Sequence, residues 1–174
     1  MNLPEFLTRW SAILALALYV VGLTFLIDAK EIRARLAWAR RAWTAGCLLF
    51  LVHVACAFQF YHHWSHGLAY AVTAQQTAEV VGVAWGGGLY ANYVFTLVWA
   101  AEVIWWWGGL DRYGSQPRIL KWAVQGFLGF MAFNATVVFG TGTARWLGVA
   151  ATLFLTAVMA VSIQACSRPR QSGG

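Results

Sequence analysis

Residues 10–27 read WSAILALALYVVGLTFLI, and residues 28–41, which follow, read DAKEIRARLAWARR. The first stretch carries no charge over eighteen residues and the second holds five lysines and arginines, the pattern of a membrane crossing that meets a cytoplasmic surface. The hydrocarbon layer is roughly 30 Å thick and takes about 20 apolar residues to cross as a helix. A barrel strand would alternate polar and apolar residues, and this run does not. The fold class is therefore all-α and integral to a membrane.

Four further windows of similar length and character follow: Ala42 to Phe60, Leu89 to Trp107, Leu120 to Phe139 and Trp146 to Ile163. Hydrophobic residues make up 60% of the chain and charged ones 10%, with a mean hydropathy of +0.61. Too little is left for a separate soluble domain. Residues 1–174 are expected to form one bundle of about five transmembrane helices, with an outer loop at 61–88.

A formal charge of +6 invites a nucleic-acid reading until the charges are placed. Lys30, Arg33, Arg35, Arg40 and Arg41 lie in the first connector, Arg112, Arg118 and Lys121 in the third, and Arg168 and Arg170 in the tail. Ten of the twelve basic residues thus share one side if the spans alternate. That puts the N-terminus outside and the C-terminus in the cytoplasm of a bacterial inner membrane. The charge reports topology, and the expected partners are the lipid bilayer and other membrane subunits or a second copy, not nucleic acid.

Residues 28–41 repeat Ile32, Leu36 and Ala39 at helical spacing, which predicts a basic amphipathic helix on the inner surface or as an extension of the first span. Trp38, Trp43, Trp105, Trp106, Trp107 and Trp122 fall at inner ends, as an interfacial belt would. Only Trp99 lies deep within a span. The outer loop predicts a short surface helix broken by Gly86, Gly87 and Gly88, which permit a sharp reversal or a close approach. Gly140 to Arg145 is short enough to force a hairpin. Cys47, Cys56 and Cys166 suggest no disulfide framework. Residues 10–27 lack a basic n-region and a secretory cleavage site and run into the charged 28–41 stretch, so they are expected to stay as a helix.

All four histidines, His53, His62, His63 and His66, fall within fourteen residues at the outer end of the second span. If that helix continues past Phe60, His62 and His66 form an i, i+4 pair, with His53, Cys56 and His63 on a neighbouring stripe. Two imidazoles one turn apart are a common source of two transition-metal ligands. Glu79, the one acidic residue of the outer loop, is the candidate third. The alternatives are a hydrogen-bonded or pH-sensitive cluster and simple interfacial anchoring. His53 lies near mid-membrane, where it would pack on Asn134 or Gln125, serve behind a metal site, or ligate haem b.

The thirteen-residue separation of His53 and His66 resembles the helix of a cytochrome b that serves two haems, but the chain has no histidines to oppose them. His62-His63-x-x-His66 resembles one box of the membrane fatty-acid hydroxylases, whose di-iron centre needs several boxes that are absent here. Glu102 lies in the third span, where insertion of a charged carboxylate costs about 2.5 to 3.5 kcal/mol near the bilayer centre. Protonation, or pairing with a base such as Lys121, would relieve that cost. Glu102, Gln125 and Asn134 form the buried polar set open to proton relay or interhelical hydrogen bonding.

Ala57-Phe58, His63-Trp64-Ser65-His66, Thr73-Ala74 with Gln76-Thr77, Trp85-Gly86-Gly87-Gly88 and Trp105-Trp106-Trp107 together resemble uncharacterised multi-pass membrane proteins of planctomycete-type bacteria. The resemblance covers about a third of the chain and implies no activity. No nucleophile elbow, phosphate loop or zinc-protease box is present. The expected role is binding rather than turnover, in an accessory subunit or helper of a membrane redox or metal-handling system. A cofactor-free assembly subunit and a proton-coupled carrier using Glu102 and His53 are the alternatives.

Overall fold

The computed structural model describes residues 2–28 and 33–167. Lys30, Ile32, Arg168 and Arg170, used in the charge and periodicity readings, lie outside the described residues, as do the side chains of Arg33, Arg112, Arg118 and Cys166. Seven α-helices follow in order among the described residues: α1 Leu3–Asp28, α2 Arg33–Ala57, α3 His66–Val81, α4 Gly88–Trp107, α5 Leu110–Gly114, α6 Arg118–Phe133 and α7 Gly142–Ser167. Single π-helical turns extend α2 at Phe58–His62 and α6 at Asn134–Val138. There is no strand among the described residues.

Three of these segments, Leu3–Ile27, Ala34–His62 and Gly142–Ser162, are long and apolar enough to cross a membrane. The other two expected spans fall short for physical reasons. α4 is 20 residues long but carries Asn92, Glu102 and a terminal run of three tryptophans. α6, continued by its π-turn, carries Arg118, Lys121, Gln125 and Asn134.

Both expected ends of the first two spans shift. α1 begins at Leu3 rather than Trp10, because the Asn2 side chain accepts a hydrogen bond from the Glu5 amide at 3.0 Å and caps the helix earlier. Arg33 to Arg41 continue without a break into the second span. The amphipathic helix expected there, on the inner surface or extending the first span, is instead the N-terminal part of α2 from Arg33 onward.

α1 and α2 make the most extensive pair, α2 then packs on α4, and α4 on α6. α7 touches α1 and the π-turn after α6, closing the arrangement. Hydrophobicity does not drive helices together inside lipid, so close backbone approach and side-chain packing must do so. Gly46 marks such an approach: a Cβ there would lie 3.2 Å from the Trp99 ring and 3.3 Å from the Ala15 carbonyl. Around it sits an aromatic core in which Tyr19 and Trp43 are 5.0 Å apart, Trp43 and Trp99 5.6 Å, and Phe50 and Phe95 4.9 Å. Pairs of this kind contribute about 0.5–1.5 kcal/mol each beyond their burial.

Trp43 and Trp106 are fully buried, so two members of the expected inner belt are core residues. Trp38, Trp105, Trp107 and Trp122 stay exposed, as a belt requires. The Arg40 guanidinium lies 4.1 Å from the centre of the Trp107 ring, whose indole N–H donates to the Thr44 hydroxyl at 3.0 Å. Those contacts tie the N-terminal part of α2 to the C-terminal end of α4.

On the other side, α3 occupies most of the long loop. Its start is capped by the Ser65 hydroxyl, which accepts from the Leu68 amide at 3.2 Å, and it ends on Gly82 in the left-handed region. Gly86 then sits against the Tyr70 backbone and ring so closely that any Cβ would collide. The connection between α6 and α7 is held by the Arg145 Nε–H, which donates to the Gly140 carbonyl at 3.0 Å.

Candidate functional site

The histidine segment does not continue as one helix. After the π-turn, His63 and Trp64 both take left-handed backbone conformations, with φ of 48° and 55°, and the chain turns before α3 begins at His66. Two adjacent non-glycine residues in that region store strain, on the order of 1–3 kcal/mol each. His62 and His66 therefore lie on different helical elements, and the expected i, i+4 pair does not form. The cytochrome-like spacing of His53 and His66 fails for the same reason, since it requires one unbroken helix.

His66, His62 and His53 find separate partners, while His63 is exposed and stands near His62. His66 is hydrogen-bonded through Nδ1 to the Tyr93 hydroxyl at 3.1 Å and through Nε2 to Tyr90 at 3.4 Å. His62 stands edge-on to Phe58 at 5.4 Å, and its buried Nδ1 has no hydrogen-bond partner. His53 donates from Nδ1 to the Thr8 carbonyl of α1 at 2.8 Å, not to Asn134 or Gln125 of α6. Glu79 accepts from Gln75 of its own helix at 3.2 Å. Among the described residues no three His, Cys, Asp or Glu side chains converge on a possible metal position.

Convergence occurs at the other end of the molecule. Glu102 is 8% exposed, on the face of α4 that packs into the core. Its Oε1 accepts two hydrogen bonds, from the Tyr113 hydroxyl of α5 at 3.0 Å and from the Gln125 amide of α6 at 2.7 Å. Three elements thus meet on one carboxylate oxygen. Tyr113 is held by its ring, which stacks on Trp106 with centroids 4.3 Å apart, while the Lys121 ammonium lies 5.6 Å from the same ring. Burial first, and then the neighbouring Glu102 carboxylate, push the Tyr113 phenol well above its ordinary range, so it remains a donor.

The second carboxylate oxygen, Oε2, has no partner in full hydrogen-bonding geometry, although the Trp43 side chain stands close enough to act as a further donor to the carboxylate. Gln125 Oε1, the Tyr19 hydroxyl and the indole nitrogens of Trp99 and Trp106 are buried without a partner. Native interiors leave few such groups unmatched. The sequence reading of the buried polar set is thus divided: Glu102 and Gln125 meet, whereas Asn134 donates to the Phe130 carbonyl of its own helix at 2.8 Å.

Tyr113, Tyr19, Trp43 and Trp106 complete this centre and were absent from the candidate set. Tyr19 carried a signal, being a hydroxyl in the middle of the first apolar run and far from either interface. Tyr113 carried none, because nothing in the five-residue segment Leu110–Gly114 indicates that its ring turns inward. Beside the centre, α1, α6 and α7 line an open-sided, mostly apolar groove of about 930 Å³ whose wall includes Tyr19, Lys121 and Gln125.

Comparison of the chain with protein-family models, with curated proteins and with solved structures found no match.

Proposed function

We propose that this chain is a five-span inner-membrane protein, N-terminus outside, that acts as a non-catalytic subunit or helper of a membrane redox or proton-handling system. α4 supports the added spans: at 1.5 Å per residue it is about 30 Å long, the thickness of the hydrocarbon layer. It packs along α2, itself long and apolar enough to cross. α6 with its π-turn reaches a comparable length, and Gly140 to Arg145 returns the chain into α7.

One observation carries the functional reading: the Glu102 carboxylate is buried, with one oxygen accepting from Tyr113 and Gln125 and the Trp43 side chain a further donor beside it. A carboxyl group in that setting is suited to taking up and releasing a proton inside the membrane, with Tyr113 and Gln125 fixing its orientation. The histidines at the opposite end act in this reading as hydrogen-bonded interfacial anchors. Metal holding by His62, His63, His66 and Glu79 lacks a convergent ligand set among the described residues.

Infrared difference spectroscopy on purified protein tests this. A protonated-carboxyl stretch that responds to pH and disappears in Glu102→Gln is expected. If the spectrum of that variant matches the parent at every pH, the proton-handling reading fails. Recovery as a stoichiometric part of a larger complex that tolerates Glu102→Gln would favour a purely structural assembly subunit.

A further inference from the structure

α4 carries oxidisable rings along most of its length. Trp99 and Trp106 stand seven residues apart on its buried face, about 10 Å along the helix. Trp43 of α2 fills the interval, its ring centre 5.6 Å from Trp99 and 6.3 Å from Trp106. Trp106 in turn stacks on Tyr113 at 4.3 Å, so three indoles run in unbroken contact to one phenol. Six residues before Trp99, about 9 Å along α4, Tyr93 lies against His66, with Tyr90 on the other side of the same imidazole.

Packing alone does not ask for tryptophan here. The buried indole N–H groups of Trp99 and Trp106 have no acceptor, whereas buried tryptophans usually find one. Phenylalanine would fill much of the same space and strand no donor. What tryptophan adds is an electron that is readily removed, and the missing acceptor then matters. An indole that loses an electron with no base at its N–H stays a cation radical and passes the vacancy on. The Glu102 carboxylate beside Trp43 stabilises that positive charge. A phenol behaves in the opposite way, because it gives up an electron readily only when a base takes its proton. Both ends of the series have one. Tyr113 donates to Glu102 Oε1 at 3.0 Å, and whichever nitrogen of His66 is unprotonated accepts from Tyr93 at 3.1 Å or from Tyr90 at 3.4 Å. Tyr19, against Trp43 and Trp99, has no partner for its hydroxyl and is therefore no end point.

We propose that these rings form a relay that moves one oxidising equivalent along α4, from the exposed Tyr90, Tyr93 and His66 group to the buried Tyr113. The oxidant is of the class of lipid alkoxyl radicals. Such a radical takes one electron from a tyrosine and one proton from water, leaving an alcohol and hydroxide, while His66 holds the phenol proton. An electron then passes from Tyr113 through Trp106, Trp43 and Trp99 to that tyrosine, which recovers its proton from His66. The Tyr113 proton moves to Glu102 Oε1, and a neutral tyrosyl radical is left inside the bundle. The Lys121 ammonium, 5.6 Å from that ring, does not oppose this end state, because the radical is uncharged. The inference deepens the redox reading given above and rests on Glu102 accepting a proton.

The test uses full-length protein in detergent with its three cysteines changed to alanine and a ruthenium tris-bipyridine label on Gly67→Cys, a position with room for a side chain next to His66. A flash with persulfate as quencher then creates the oxidant at that end of α4. Transient absorption and electron paramagnetic resonance are expected to show tryptophan radicals giving way to a tyrosyl radical that survives ascorbate, as a buried Tyr113 radical does and one on the exposed Tyr90 does not. Tyr113→Phe should lower the yield of this protected radical at least tenfold, and Tyr19→Phe should leave it unchanged. Trp99→Phe and Trp43→Phe should each slow its formation at least tenfold, and either suffices should the other fail to fold. In Glu102→Gln the vacancy should stall on tryptophan. No protected tyrosyl radical in the folded parent overturns the proposal, as does its formation at the parental rate in a folded Trp99→Phe or Trp43→Phe variant, or at the parental yield in Glu102→Gln. A pH-responsive Glu102 carboxyl stretch in protein that forms no such radical refutes the relay and leaves proton handling standing, so the two readings fail separately.

Discussion

The C-terminal ends of α2 and α4 make opposite uses of their polar residues. After α2 three histidines stand within five residues of sequence, yet the turn at His63 and Trp64 sends the His62 and His66 rings to different neighbours. Near the end of α4 a single carboxylate, with no titratable neighbour close in sequence, gathers side chains from α5 and α6. Density along the chain and convergence in space are different properties, and a site needs the second. A π-turn with two left-handed residues is enough to disperse the first.

The sharpest way to break that contrast is to remove the carboxylate. Glu102→Ala leaves the Tyr113 hydroxyl and the Gln125 amide as buried, stranded donors, each worth about 1–3 kcal/mol. A combined loss of about 2–5 kcal/mol is expected in denaturant unfolding in detergent, and Glu102→Gln should lose much less. Tyr113→Phe removes one of the two hydrogen bonds and should cost about 1–2 kcal/mol. His66→Ala and His62→Ala, at the exposed and half-buried outer end, should each change stability by less than about 1 kcal/mol. Elemental analysis of the same histidine variants sharpens the comparison further: a stoichiometric metal in the parent that both substitutions abolish would restore the outer cluster as the functional end.

The smallest expected effect is a pH dependence. Because the folded Tyr113 phenol is held above its ordinary value near 10, the unfolded chain releases that proton first as the pH rises. The corresponding stability is fully present below about pH 10 and is lost above it. Unfolding temperatures measured on both sides of that pH should fall more steeply for the parent than for Tyr113→Phe. Equal slopes would mean that Tyr113 is not sequestered as described.

Much of the architecture was legible in the sequence because lipid imposes a length and a polarity that single runs of residues must satisfy. The apolar runs beginning at Trp10, Ala42 and Trp146 became helices able to cross. The ends were less legible: the Asn2 cap moved the start of α1, and the basic connector merged into α2. For the site, Glu102 and Gln125 could be singled out because polar side chains in apolar runs are expensive and therefore conspicuous. Tyr113 could not, since its inward turn depends on the flat face of Trp106 three-dimensionally opposite it. The histidine geometry was misread because it assumed that α2 keeps its period past Phe60, and no proline or glycine between Phe58 and Trp64 announces the break.

α5 has only five residues, and one of them reaches the most secluded acid in the described chain. Short helices fray readily, so water or a docking protein on that side need not penetrate the bundle to influence its interior. Lifting this one small element would unlatch the phenol and hydrate the carboxyl, converting a mechanical event at the surface into a chemical one in the buried core.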